Sequence, residues 1–216
     1  MLIKTLLNKV ERFKSFIYGD CRLATVGGFD ALIIEIMSRR NSKPECPECG
    51  KRGKTYDTQP ARLFEYVPIW AFKVFFRYAP RRVACPVHGI KVEALPWGYG
   101  KEQMTISYQV YLARWARRLS WKEAADIFKT SWDSVFRAVQ FVVDYGLANR
   151  SLDGVTEIGV DEISVFKGQK YLTMVYQINV GARRLLWCGP ERRVKTLLRF
   201  FREFGNDRSA KHKIVC

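Results

Sequence analysis

No apolar run in this 216-residue chain approaches the roughly eighteen residues of a membrane span, which excludes a helical membrane protein as the working expectation. The N-terminus, MLIKTLLNKVERFK, has neither an uninterrupted apolar stretch nor a small-residue cleavage site. No secretory signal is therefore expected, and a cytoplasmic, nucleoid-associated address is. Internal repeats and low-complexity segments are missing as well. Core-forming side chains are not scarce: 48% of residues are hydrophobic and 14% aromatic, so the chain is globular and not disordered. Acidic residues are the clear shortage, with 21 Asp and Glu against 37 Lys and Arg and a net charge of +16. The excess is spread along the chain and describes a broad positive surface. Its favoured partner is a polyanion, most simply nucleic acid, whose counterions Lys and Arg would release. A basic protein with an unrelated role is the alternative. Without an export signal, six Cys argue against a disulfide framework and for metal binding or incidental thiols. Cys21, Cys188 and Cys216 lack a partner at useful spacing and are expected to be ordinary buried thiols.

The chain divides by pattern. Residues 1–100 are β-rich, with strand-like runs at 30–37, 62–70 and 72–83, and residues 45–100 hold six of the eight prolines. Residues 101–150 change to helical periodicity. A polar, turn-rich linker at 147–154 then opens a third region, 151–216, which alternates strands with a helix.

Two ligand pairs mark the first region: Cys46 and Cys49 in a CxxC, Cys85 and His88 in a CxxH. A two-residue spacing lets one tight turn aim two side chains at a single ion, and zinc takes four such sulfur or nitrogen ligands in a tetrahedron. Gly50 and Gly89 follow the two pairs directly, where positive φ is often needed. The expectation is a zinc ribbon with structural Zn²⁺; two unrelated Cys pairs and a surface His are the alternative.

In the second region, Tyr108, Tyr111, Leu112, Trp115 and Leu119 recur at helical steps, with Arg114, Arg117 and Arg118 on the other face. The run SWKE at 120–123 reads as a capping box in which Ser120 caps and Glu123 reaches back. A third helix opens at Ser131, with Trp132, Val135, Phe136, Val139, Val142 and Val143 as its buried stripe. Two short helices joined by a tight turn match a helix-turn-helix DNA reader. The candidate DNA contacts are Ser131, Trp132, Ser134 and Arg137 near the start of the third helix, with Arg114, Arg117 and Arg118. A three-helix bundle that only packs has the same periodicity.

The third region begins with a strand over 155–165 that carries Asp161 and Glu162 inside IGVDEIS. Strands at 171–180 and 184–188, a helix over 191–204 and a last strand from 213 follow, with turns at 167–170 and 181–182. Three hairpin-linked strands, a helix and a returning strand open an RNase H-like sheet. In that architecture acids on the strands hold two divalent ions for phosphoryl transfer, work that suits hard cations such as Mg²⁺ and needs carboxylates. Asp207 is the sole downstream Asp, and its GNDR setting reads as a turn.

The order of these regions resembles the bacterial insertion-sequence transposases of the ISL-three family. The likeness is carried by YVPIW (66–70), RVACP (82–86), LPWG (95–98), LSWKEAADIF (119–128), SWDSV (131–135), GVDEI (159–163) and KYLTMVYQ (170–177). It implies a DDE recombinase that binds terminal inverted repeats in double-stranded DNA and transfers strands with Mg²⁺. It also implies that Asp161 is the first catalytic acid and an Mg²⁺ ligand, with Glu162 its neighbour. The family's second Asp and its Glu have no counterpart up to Cys216. The expected architecture is therefore a multidomain α/β chain: a β-rich zinc-ribbon region at 1–100, a helix-turn-helix domain at 101–150 and the truncated start of an RNase H-like domain at 151–216. Such a chain is expected to bind element ends without cutting them alone, and to associate with a second copy or a full-length transposase. A DNA-binding regulator of transposition is the alternative function, and a fragment whose open strand edges prevent stable folding is another.

Overall fold

A computed structural model of the chain describes residues 3–70, 72–166, 170–211 and 214–215. They form a mixed α/β structure with three sheets and six helices among the described residues. The chain divides into two compact units, Met1–Ala148 and Asn149–Cys216. No helix among the described residues is long and apolar enough to cross a membrane.

The first unit opens with helix α1 (Ile3–Val10) and the long hairpin β1 (Phe16–Val26) and β2 (Phe29–Ser38). Gly27 and Gly28 turn it with φ of 57° and 82°, a left-handed pair that side chains would strain. After β3 (Lys54–Thr58), a second hairpin pairs β4 (Arg62–Ile69) with β5 (Phe72–Tyr78). The two hairpins join through parallel pairing of β2 with β5, giving the order β1-β2-β5-β4.

Sequence pattern suggests one strand over 72–83, but two exist. The chain leaves β5 at Ala79-Pro80 and re-enters as β6 (Arg81–Cys85) of a different sheet, β3-β6-β7, completed by β7 (Gly89–Val92). Pro80 has no N–H to donate to a continuing ladder. The buried side of the larger sheet is strongly aromatic: Phe13, Phe16, Phe64, Phe76 and Tyr78 all lie against Trp97, which is fully buried. Edge-to-face ring pairs dominate there, the arrangement that ring quadrupoles favour.

Three helices complete this unit: α2 (Ile106–Ala116), α3 (Trp121–Phe128) and α4 (Trp132–Asn149). The start of α2 is pinned to β4. Glu65 N–H donates to Gln103 O at 2.7 Å, and Thr105 N–H donates back to Glu65 O at 2.8 Å. Thr105, fully buried, caps α2 by accepting from Tyr108 N–H. The Ser120–Glu123 capping box forms in full. The apolar stripe on α4 departs from the sequence pattern: Val135 and Ala138 are buried, whereas Trp132, Phe136 and Val143 are exposed. The small Ala124 and Ala125 of α3 sit against Val135, so a narrow strip of α4 suffices to pack that contact.

In the second unit β8 (Glu157–Phe166) lies between antiparallel β9 (Lys170–Gln177) and parallel β11 (Ile214–Val215), with β10 (Arg184–Pro190) outside β9. Helix α5 (Val194–Phe204) buries Phe200 and Phe204 against Ile158, Val175 and Leu186. It begins at Val194 and not at residue 191, because β10 runs through Pro190 and Glu191 then takes a left-handed φ of 68°. The short helix α6 (Asn206–Ser209) holds Asp207, where sequence suggested a turn. Cys188 is exposed rather than buried, and Cys21 is half-buried. Cys216 and the turn residues 167–169 lie outside the described residues.

Candidate metal centre and nucleic-acid interface

The smaller sheet exists to hold two turns together. In the first, Cys46 N–H donates to Lys51 O and Gly50 N–H donates to Cys46 O, both at 2.9 Å, folding residues 46–51 back on themselves. Gly50 sits at φ 68°. The second is the β6–β7 turn, where Cys85 pairs with Gly89 at φ 70°. Pairing of β3 with β6 then brings the turns face to face.

As a result Cys46, Cys49, Cys85 and His88 place their donor atoms within 4.8 Å of one another. The Cys49 and Cys85 sulfurs are 3.7 Å apart, and His88 Nδ1 is 3.7 Å from the sulfurs of both Cys46 and Cys85. Four sulfur ligands at about 2.3 Å from a tetrahedral zinc would stand roughly 3.8 Å apart. The donor set and its spacing therefore fit a metal such as zinc. On its other side, His88 Nε2 faces the Glu48 carboxylate at 3.5 Å, and Glu48 is held by Lys91 at 2.8 Å. A carboxylate behind a ligating imidazole fixes the ring's orientation and tautomer.

Electrostatics prepare the thiols unequally. Backbone N–H groups of His88 and Val87 aim at Cys85 and hold its thiol down to about 6. Cys49 receives a lowering bond from the Lys51 backbone, but burial and the neighbouring thiols outweigh it and leave Cys49 above the usual range. Metal binding requires the deprotonated ligands, so affinity falls with falling pH. Proton competition at Cys49 acts already near neutrality, while competition at Cys85 sets in only as the pH falls through about 6. His88, whose imidazole is raised above its ordinary range by the Cys85 and Cys46 thiols, adds its own proton competition. Metal affinity titrated from pH 8 to 5 against a chromophoric chelator is therefore expected to decline throughout. A profile flat across that window would contradict this assignment.

The three helices present a different surface. Lys129 closes α3 in a left-handed conformation with φ 51°, and Ser131 Oγ accepts from Ser134 N–H at 3.0 Å to start α4. Ser131, Trp132 and Arg137 are exposed, with Ser134 half-buried. Arg137 is engaged by Asp133 at 3.0 Å and Glu102 at 3.1 Å. Arg114, Arg117 and Arg118 are exposed and form no ion pair among the described residues. Their charge is thus available to a ligand, whereas that of Arg137 must first be released.

Asp161 lies on β8 opposite Met174, and Glu162 opposite Thr173. Successive strand residues point to opposite faces, so these carboxylates cannot chelate one ion together. Glu162 shares the face of buried Thr173 and Val175, against which α5 packs; Asp161 occupies the other face, exposed, its Oδ1 accepting from Glu162 N–H at 2.8 Å. The Cys/His cluster is the one group of three or more such ligands that comes together among the described residues.

Residues 158–216 match the family model of the ISL3-type DDE transposases, described as Transposase. The chain is 28% identical over 183 residues to the transposase for insertion sequence element IS1557 of Mycobacterium tuberculosis, covering 83% of this chain and 40% of that protein. It is 22% identical over 171 residues to the transposase for insertion sequence element IS1001 of Bordetella parapertussis, covering 79% of this chain and 42% of that protein. Residues 158–216 thus match the ISL3-type transposase model, and the chain as a whole is similar to insertion-sequence transposases. It spans about two fifths of the length of the curated relatives it matches. No solved structure matches it. The segment matched by the family model begins at Ile158, so Asp161 lies inside it while the Cys/His cluster and α2–α4 precede it.

Two features of the first unit had no local signal in the sequence. Glu48, behind His88, is recognisable only once the two turns meet. Arg81 and Glu93 form a buried ion pair at 2.7 Å between segments that nothing in the sequence pattern brings together.

Proposed function

We propose that this chain binds the terminal inverted repeats of an insertion sequence and supplies the first acid of a Mg²⁺-dependent phosphoryl-transfer site. In this reading residues 1–100 are a β-rich region with a zinc ribbon held by Cys46, Cys49, Cys85 and His88. Residues 101–150 are a helix-turn-helix domain, and residues 151–216 are the opening of an RNase H-like catalytic domain. Helix α4 would enter the major groove by its N-terminal turn, with Ser131, Trp132, Ser134 and Arg137 toward the bases. Arg114, Arg117 and Arg118 would neutralise phosphates. The reading rests chiefly on those three exposed arginines, which have no ion-pair partner among the described residues, beside a capped helix pair.

Asp161 would ligate Mg²⁺, which polarises the scissile phosphate and activates the attacking hydroxyl once further carboxylates complete the site. One acid cannot hold two metal ions. Residues 1–216 by themselves are therefore expected to bind repeat DNA without nicking it, in the nucleoid and together with a second copy or a longer transposase. Fluorescence anisotropy with terminal-repeat and random duplexes at physiological salt tests the binding. Tighter binding to the repeat, weakened by joint Arg114→Ala, Arg117→Ala and Arg118→Ala, is the expected result. Equal binding to random duplex would refute the recognition role, and Asp161-dependent nicking would refute the catalytic limit.

A further inference from the structure

A cavity of about 340 Å³ lies in the first unit between the N-terminal segment 12–16, the strand exit at 93–96, and the residues flanking the first metal-binding turn. Five cations line it: Arg12, Lys14, Lys43, Arg52 and Arg81. The carboxylates among its walls are Glu45 and Glu93, and both are taken. Glu45 faces Arg52 at 3.5 Å, and Glu93 is closed onto Arg81 at 2.7 Å. Arg12, Lys14 and Lys43 are exposed and form no ion pair among the described residues. Three uncompensated cations around one concavity repel each other and focus a positive potential into it.

The walls are not loose surface. Phe13 and Phe16, on either side of Lys14, are buried in the aromatic core, and Arg39 Nε donates to Lys14 O at 2.9 Å. Lys43 precedes Pro44, whose carbonyl accepts from Gly53 N–H at 3.0 Å. Glu45 and Arg52 bridge across the turn that carries Cys46 and Cys49. The backbone that carries Lys14 and Lys43 is thus fixed by the core on one side and by the Cys46–Cys49 turn on the other. A volume near the lower end of small-ligand sites, at about 300–1,000 Å³, accommodates a phosphodiester but no large organic molecule.

We propose that this cavity is a phosphate site, filled by a backbone phosphate of bound DNA through Arg12, Lys14 and Lys43. Its link to DNA rests on the DNA-binding reading above; its affinity for phosphate does not. A phosphate contact positions the duplex without reading its sequence. It would anchor DNA beside the metal centre, at a place separate from the contacts proposed for α2 and α4.

The test is a triple variant of the 216-residue chain, Arg12→Ala with Lys14→Ala and Lys43→Ala, compared with a charge-removal control, Lys9→Ala with Lys54→Ala. Metal content and circular dichroism establish that each is folded. Duplex affinity is measured across a salt series, and inorganic phosphate is tested for a rise in melting temperature. The triple variant is expected to bind repeat and random duplexes equally more weakly, with the logarithmic salt slope reduced by about 0.9 for the lost phosphate. Inorganic phosphate should raise the melting temperature of the natural chain and not that of the triple variant; the control should keep both properties. A natural chain that binds no duplex, yet responds to phosphate through these three residues, supports the phosphate site and removes the DNA reading. A triple variant that matches the control in salt slope and phosphate response overturns the proposal, whether or not the chain binds DNA.

Discussion

Removing metal from the Cys/His cluster with a chelator is expected to unfold residues 46–58 and 81–92 locally while the four-stranded sheet keeps its amide protection. The apolar contents of the smaller sheet explain why. Its buried cluster consists of Cys46, Val83 and Cys85 with Cys49 against them, so three of its four members are the ligands themselves. Strands β3 and β7 bury no residue fully. The larger sheet instead rests on thirteen buried side chains, most of them aromatic or branched. Structural zinc supplies on the order of 10 kcal/mol of binding free energy that is also folding free energy. Without it, three thiols and an imidazole remain in place of a core. Hydrogen exchange on metal-loaded and metal-stripped protein should show loss of protection at Val83 and Cys85 and persistence at Val74 and Phe76. The substitution Cys85→Ser should reproduce that pattern. Unchanged exchange at Val83 after verified metal removal would sink the assignment.

The second large effect concerns Glu93. Its carboxylate, 1% exposed, accepts from Tyr78 Oη at 2.6 Å, Arg81 N–H at 2.8 Å, and Arg81 Nε and Nη2 at 3.1 and 2.7 Å. Arg81 also donates from Nη1 to Ser42 O at 2.8 Å, so one buried pair ties β5, β6 and the loop after β2. Glu93→Ala would leave the guanidinium buried without its charge partner, a loss of about 3–5 kcal/mol. Replacing both residues, as Arg81→Met with Glu93→Leu, removes the charge along with its partner and should recover much of the loss. Urea unfolding of the three proteins decides this. A Glu93→Ala variant within about 1 kcal/mol of the natural chain would show that the pair carries little.

What the sequence made legible was local. CxxC and CxxH declare themselves because two residues of spacing are enough to make a turn, and the Ser120–Glu123 box because its bonds span three residues. The runs 30–37 and 62–70 stand out because branched and aromatic residues dominate them. Strand β1 does not, since Gly19 and Asp20 interrupt it at the bulge between Tyr18 and Cys21. The break at Pro80 was hidden because the aromatic run before it and Val83 beyond it read as one strand but enter different sheets. The stripe of α4 misled because hydrophobic spacing reports a face and not what covers it; Trp132 and Phe136 share the helical spacing of Val135 but remain exposed. Asp161 could be singled out as an acid within an apolar run. Its separation from Glu162 across the sheet follows from strand geometry once the strand is accepted.

The parallel joint between β2 and β5 also orders the events of folding. Each hairpin of the larger sheet can close on itself through contacts near in sequence, but Ala31 meets Lys73 only after the whole intervening segment has looped out. Closing such a loop costs entropy before any ladder bond compensates, which makes non-local pairing slow. The smaller sheet interleaves with that loop: β3 lies within it, whereas β6 and β7 follow β5. A metal that draws Cys46 and Cys49 to Cys85 and His88 shortens the same path, because it brings the end of β2 toward the end of β5. An ion held by the Cys/His cluster would thereby accelerate assembly of the larger sheet as well as stabilise the smaller one.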